Sequence, residues 1–175
     1  MRYVSFRRPD GTPSFGRLDG ETIVELATDA TLSLKAALTD GSLATLPDGA
    51  SFAAADIVLL PVIPDPAKIL CVGLNYAEHV KETGREQKAH PAIFVRYADS
   101  LVADGQPMVK PAVTDRFDYE GELAIIIGKA AHKVAAADAW SYVAGYAAFN
   151  DGSARDWQRH NIQFTPGKTF PGTGG

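Results

Sequence analysis

The segment FDYEGELAIII, residues 117 to 127, carries Asp118, Glu120 and Glu122 at alternate positions. In an extended strand such positions share one face, about 6.7 Å apart from Cα to Cα. That face continues into Ala124 and Ile126, which favour burial. Two carboxylates about 5 Å apart repel by roughly 3 kcal/mol at an effective dielectric of about 20. Aimed toward a core, they need a positive partner, or one of them must take up a proton. A divalent cation is such a partner, and an all-carboxylate donor set favours Mg²⁺, Mn²⁺ or Ca²⁺ over Zn²⁺. Asp151 follows the apolar run YAAF after a single residue, Asn150, at a strand end where functional side chains often sit. Together Glu120, Glu122 and Asp151 would fill half of an octahedral shell and leave the rest to water and a chelating substrate. The plainer alternatives are a hydrated strand end for the two glutamates and an ordinary NDG turn for Asp151.

Further residues have types suited to the same chemistry. His79 and Glu82 stand three apart on one face of an expected helix, where the carboxylate orients the imidazole and raises its basicity. Such a pair is also common on a solvated surface. Arg155 and Gln158, three apart in SARDWQ, offer a guanidinium fork and an amide to an anionic substrate, or else form a solvated helix face. Lys168 in PGKTF is no part of a phosphate-binding loop, because the glycine that pattern requires falls at Ile162. Gly167, Gly172, Gly174 and Gly175 suggest a mobile loop that carries the lysine as a lid. His90, His132 and His160 show no ligand spacing.

The elements that must position these side chains fall into two expected domains, residues 1 to 63 and 64 to 175. In the first, RYVSFRR, SFGRL and TIVELA are β-like runs separated by PDGT and DGE turns. TLSLKAALTDG reads as an amphipathic helix with Leu34, Ala37 and Leu38 on one side and Gly41 as its stop. The proline-punctuated IVLLPVIPDPAK is expected to be an extended linker. In the second, KILCVGL reads as a buried strand, followed by a helix that Asn75 and Glu78 could cap and Gly84 could end. AIFVRY, residues 119 to 127 and YAAFND read as strands, AAADAWSYV as a helix, and SARDWQRH as a helical turn or two. The chain then ends in a glycine-rich loop without a closing element, so the second domain is expected to be incomplete.

Composition narrows the function classes. A net charge of −4 without a dense Lys/Arg block argues against a nucleic-acid partner. Cys71, the single cysteine, excludes an internal disulfide and a CxxC zinc site. No apolar run approaches the length of a membrane span and the start carries no apolar signal segment, so a cytoplasmic protein without membrane contact is expected.

GLNYAEHVKETG, PAIFVR, DYEGELAIIIGK, YVAGYAAFNDGSARDWQ and FTPGK, in that order, resemble the fumarylacetoacetate hydrolase family over about residues 66 to 170. Residues 1 to 63 look like the smaller N-terminal domain of many bacterial members. The resemblance implies a strand-rich α+β fold of rolled, mixed β-sheets with a few short helices. It implies that Glu120, Glu122 and Asp151 bind Mg²⁺ or Mn²⁺, that His79 and Glu82 activate water, and that Lys168 assists at the substrate oxygens. Arg155 and Gln158 match positions near the substrate, whereas Asp118 matches no role and is expected to be exposed. The implied protein is a homodimeric hydrolase that cleaves a C–C bond in small 2-oxo or 2,4-dioxo acids such as fumarylacetoacetate or acylpyruvates, in aromatic catabolism. The nearest alternative is an oxaloacetate-type decarboxylase or an isomerase. A non-catalytic, truncated, metal-binding relative is the alternative of another class. Family domains continue past the PGKTF loop, so this chain is expected to leave sheet edges and apolar surface exposed.

Overall fold

The computed structural model describes residues 1–82, 84 and 89–175, without the side chains of His79 and Glu82. In it the PDGT segment turns as its residues require, with Asp10 Oδ1 accepting a hydrogen bond from Thr12 N at 2.8 Å. The turn joins β1 (Arg2–Arg7) to β2 (Pro13–Asp19), and β3 (Thr22–Glu25) follows after the DGE turn. Next come α1 (Leu34–Asp40), β4 (Ser51–Ala53) and β5 (Val58–Leu60). The five strands form one sheet in the order β4-β3-β2-β1-β5, with every neighbouring pair antiparallel. Ser33 caps α1 by accepting from Ala36 N at 3.1 Å, and Gly41 ends it at a φ of 77°, a conformation open to glycine because it lacks Cβ. The helix turns Leu34 and Ala37 onto Phe15 and Leu26, and these four form the buried core of this part of the chain. The expected linker is more than a linker: its start is β5, paired with β1, and Val62 and Ile63 pack against that core.

The rest of the chain forms β6 (Ile69–Gly73), α2 (Ala77–Glu82), β7 (Ala92–Arg96), β8 (Phe117–Asp118), β9 (Gly121–Ile127), β10 (Val143–Asn150), β11 (Ser153–Ala154) and α3 (Arg155–Gln158). Three two-stranded sheets result, β6 with β7, β8 with β11 and β9 with β10. The fold is strand-rich α+β. Two compact units are present: one comprises Met1–Asp65, Val102–Pro107 and Gly121–Phe149, the other Pro66–Leu101, Met108–Glu120 and Asn150–Gly175. No helix among the described residues is long and apolar enough to cross a membrane.

Two local expectations change and a third is made specific. First, residues 117 to 127 are two strands: β8 pairs with β11, β9 pairs with β10, and Tyr119 and Glu120 lie between them outside either ladder. The break is stabilised from the chain after β10, since Glu120 N donates to Asn150 Oδ1 at 3.1 Å and Asp151 N donates to Glu120 O at 2.8 Å. Second, KILCVGL is not buried on both faces, because Leu70 is 64% exposed and Val72 is also exposed. Third, the helix expected over AAADAWSYV is present at Ala136–Tyr142, and its type is 3-10. It buries none of its residues, and Ala135 at its start has no side chain that could cap it, so neither packing nor capping favours the longer-ringed helix.

Candidate active site

In the unit that holds residues 150–175, the strand order brings three acids and three bases together. The turn after β10 delivers Asp151, which is 4% exposed. Gly152, next in the chain, admits no side chain, since a Cβ there would collide with Thr173 O. Lys168, just past a 3-10 turn at Thr165–Gly167, is 1% exposed. Its Nζ donates to Asp151 Oδ2 at 2.7 Å and to Glu120 Oε2, and it lies 5.3 Å from the centroid of the Phe94 ring. Arg155, at the start of α3, donates to Asp118 Oδ2 from Nε at 3.0 Å and from Nη2 at 2.8 Å. Its Nη1 donates to Glu120 Oε1 and, at 3.2 Å, to Gln158 Oε1. Asp118 is therefore engaged by Arg155 although partly exposed, which supplies the partner that the sequence left unassigned.

Arg96 is the component that the motifs did not single out. It is 2% exposed and donates from Nη1 to Asp151 Oδ1 at 2.5 Å and to Gly152 O at 3.1 Å. Its Nη2 donates to Thr173 Oγ1 at 2.8 Å and its Nε to Ser100 Oγ at 3.3 Å. Alternation along β7 was the available signal: Arg96 falls two residues after Phe94, on the buried face of an apolar strand, where an unpaired charge would be prohibitively costly.

The charges balance, with Asp118, Glu120 and Asp151 each ion-paired to at least one of Arg96, Arg155 and Lys168. Burial pushes the Glu120 carboxyl up, but the Lys168 ammonium and the Arg155 guanidinium outweigh it and hold the group below the usual carboxylate range. The hydrogen bond from Arg155 does the same for Asp118. Burial lowers and the two carboxylates raise the affinity of Arg155 for its proton, with a net upward shift.

Among the residues singled out in the sequence, Glu120, Asp151, Arg155, Gln158 and Lys168 meet in this network. Glu122 sits half-buried on β9, in the first unit. The side chains of His79 and Glu82, on α2, lie outside the described residues. The expected mobile lid is instead a fastened segment. Gly172 N donates to Asp99 O at 3.1 Å, Gly174 N donates to Ser100 O at 2.9 Å, and Gly175 and Asn150 exchange two backbone hydrogen bonds.

Residues 68–175 match the sequence profile described as "Fumarylacetoacetate (FAA) hydrolase C-terminal", and residues 1–61 match "Rv2993c-like, N-terminal". The chain belongs to the fumarylacetoacetate hydrolase family. It is 37% identical over 144 residues to the mitochondrial oxaloacetate tautomerase FAHD2A of Homo sapiens, an alignment that covers 81% of this chain and 44% of that protein. Among solved structures, 5-carboxymethyl-2-hydroxymuconate delta-isomerase from Mycobacterium smegmatis superposes with a TM-score of 0.78 at 31% identity, over 99% of this chain and 64% of that one. The fumarylacetoacetate hydrolase of Exiguobacterium antarcticum does so with a TM-score of 0.77 at 30% identity, again over 99% and 64%. This chain thus spans less than half of the human relative and under two thirds of either solved relative.

Fumarylacetoacetate hydrolase family members are typically dependent on a divalent metal ion. The donor chemistry present here fits one, because Glu120 Oε2 and Asp151 Oδ2 converge on a single positive point, Lys168 Nζ, and both donors are hard carboxylate oxygens. Among the described residues no group of three or more His, Cys, Asp or Glu side chains is gathered to hold a metal ion.

Proposed function

We propose that the protein is a divalent-metal-dependent enzyme that cleaves a C–C bond by hydrolysis in small 2-oxo or 2,4-dioxo carboxylic acids. The observation that carries this reading is the convergence of Glu120 and Asp151 on one cationic point beside Arg155 and Gln158. In this reading residues 64 to 175 carry the chemistry and residues 1 to 63 are the accessory N-terminal domain. Glu120, Glu122 and Asp151 would hold Mg²⁺ or Mn²⁺. When bound, the ion supplies Lewis-acid polarisation of a 2-oxo acid.

The chain's own residues do the rest. Arg155 presents a planar fork suited to a carboxylate. Gln158 accepts from Arg155 through Oε1, which leaves its amide nitrogen as a donor to the substrate. Breaking the C–C bond next to a carbonyl leaves negative charge on oxygen, and the buried Lys168 ammonium is a fixed positive charge for that site. His79, paired with Glu82 in this reading, would take the proton of the attacking water. A homodimer is the proposed assembly.

A second reading has a specific support. The human relative is named an oxaloacetate tautomerase and the M. smegmatis relative an isomerase. Proton transfer within a 2-oxo acid needs the same stabilised enolate but no attacking water. The purified chain with Mg²⁺, offered acylpyruvates and oxaloacetate in parallel, separates the two. Hydrolysis is expected to release the two shorter acids from an acylpyruvate and to vanish in His79→Ala while Mn²⁺ binding persists. Enol–keto conversion of oxaloacetate without any cleavage would establish the second reading instead. Metal uptake with neither reaction would point to the non-catalytic relative.

Metal binding has its own test. A ligand that binds only the native state raises stability, by about 2.7 kcal/mol at a hundredfold excess over Kd. Saturating Mg²⁺ is expected to raise the melting temperature of the wild-type chain and to leave that of Glu120→Ala unchanged. An equal rise in both, followed by differential scanning calorimetry, would place the ion elsewhere.

A further inference from the structure

We infer that Arg96 is a positioning residue for Asp151, and that the backbone of the closing GTGG segment is the mould that holds it; the inference rests on the metal reading of the same site. Asp151 has two oxygens with different partners. Oδ1 is taken by Arg96 Nη1 at 2.5 Å, and Oδ2 faces Lys168 Nζ at 2.7 Å. The bond to Oδ1 settles the rotation of the carboxylate and thereby aims Oδ2 at the cationic point shared with Glu120. Arg96 is in turn held on every side. Gly152 O, Thr173 Oγ1 and Ser100 Oγ each accept a further hydrogen bond from it, so among the described residues four acceptors from four residues fix the fork.

Gly174 completes the mould. A Cβ at Gly174 would lie 2.6 Å from Arg96 Nη2 and 2.8 Å from its Cζ, closer than atoms can pack. Only glycine leaves the guanidinium that space, and the Gly174 backbone is itself anchored to Ser100 O at 2.9 Å. Partners that orient a metal ligand from behind typically govern affinity by about 10- to 100-fold. A lysine would keep the charge of Arg96 but could not reach four acceptors, because its donors radiate from a single nitrogen.

The experiment is the affinity of the full chain for Mn²⁺ alone, followed by the electron paramagnetic resonance signal of the free aquo ion. Arg96→Lys and Gly174→Ala both preserve net charge, so a change in affinity reports position and not electrostatics. Each is expected to weaken Mn²⁺ binding about tenfold or more. Gly174→Ala displaces the end of a side chain rather than backbone, so it supplies a folded variant if Arg96→Lys does not fold. Melting curves confirm that each variant is folded at the temperature of the titration. Wild-type affinity in a folded Gly174→Ala or Arg96→Lys variant, with only stability reduced, would overturn the positioning role and leave Arg96 a structural ion pair. Absence of Mn²⁺ uptake by the wild-type chain would overturn the metal reading itself, and is distinguishable because it precedes any comparison of variants.

Discussion

Lys168→Met is expected to lower the free energy of unfolding by about 3 kcal/mol, the lower end of the range for breaking a buried ion pair by removing one partner. Methionine keeps most of the side-chain volume, so the loss reports charge rather than a cavity. The ammonium it removes is 1% exposed and lies between Glu120 and Asp151. The Lys168 ammonium is the positive charge that the two carboxylates share. In the variant Arg155 still holds Glu120 and Arg96 still holds Asp151, which is why the expected loss sits at the lower end. Urea denaturation of the two chains under identical conditions measures it. A loss below about 1 kcal/mol, the scale of an exposed pair, would mean that the two carboxylates do not depend on Lys168.

Phe15→Ala is expected to cost about 3–5 kcal/mol through a different mechanism. Phe15 is fully buried and packs against Leu26, Leu34 and Ala37, with Tyr3 and Leu38 at the edges of the cluster. Removing the ring forfeits its transfer free energy and leaves a space that neighbours anchored in β1, just past β3 and in a capped helix are poorly placed to fill. The same urea experiment checks it. A loss under about 2 kcal/mol would show that α1 collapses onto the sheet and closes the gap.

Features governed by neighbours in the chain are legible in the amino-acid sequence. The hairpin strands of the N-terminal part, the helix stopped by Gly41, and the strand that ends just before Asp151 all follow from periodicity, capping and turn residues. So do the residue types of the site: two acids, a lysine, and an arginine and glutamine three apart. The segment 117 to 127 marks the limit. Its alternation of acids reads as one continuous strand, yet the two halves pair with different partners and Glu120 sits in the gap. Periodicity within a segment cannot report a change of partner, since the hydrogen bonds that force the break come from residues about thirty positions away.

The need for positive charge around the acids is a consequence of their number and spacing, and the sequence determined it. Which cation answers the need was decided by the tertiary structure. Asp118 meets Arg155 across 37 positions, Glu120 meets Lys168 across 48, and Asp151 meets Arg96 across 55. Arg96 in particular looks like an ordinary strand-end residue until β7 turns it inward and Ser100, Gly152 and Thr173 close around it. Local sequence sets the propensities and the chemistry of each side chain. Ion pairing depends on distance in space and on desolvation, and both arise only when remote segments pack together.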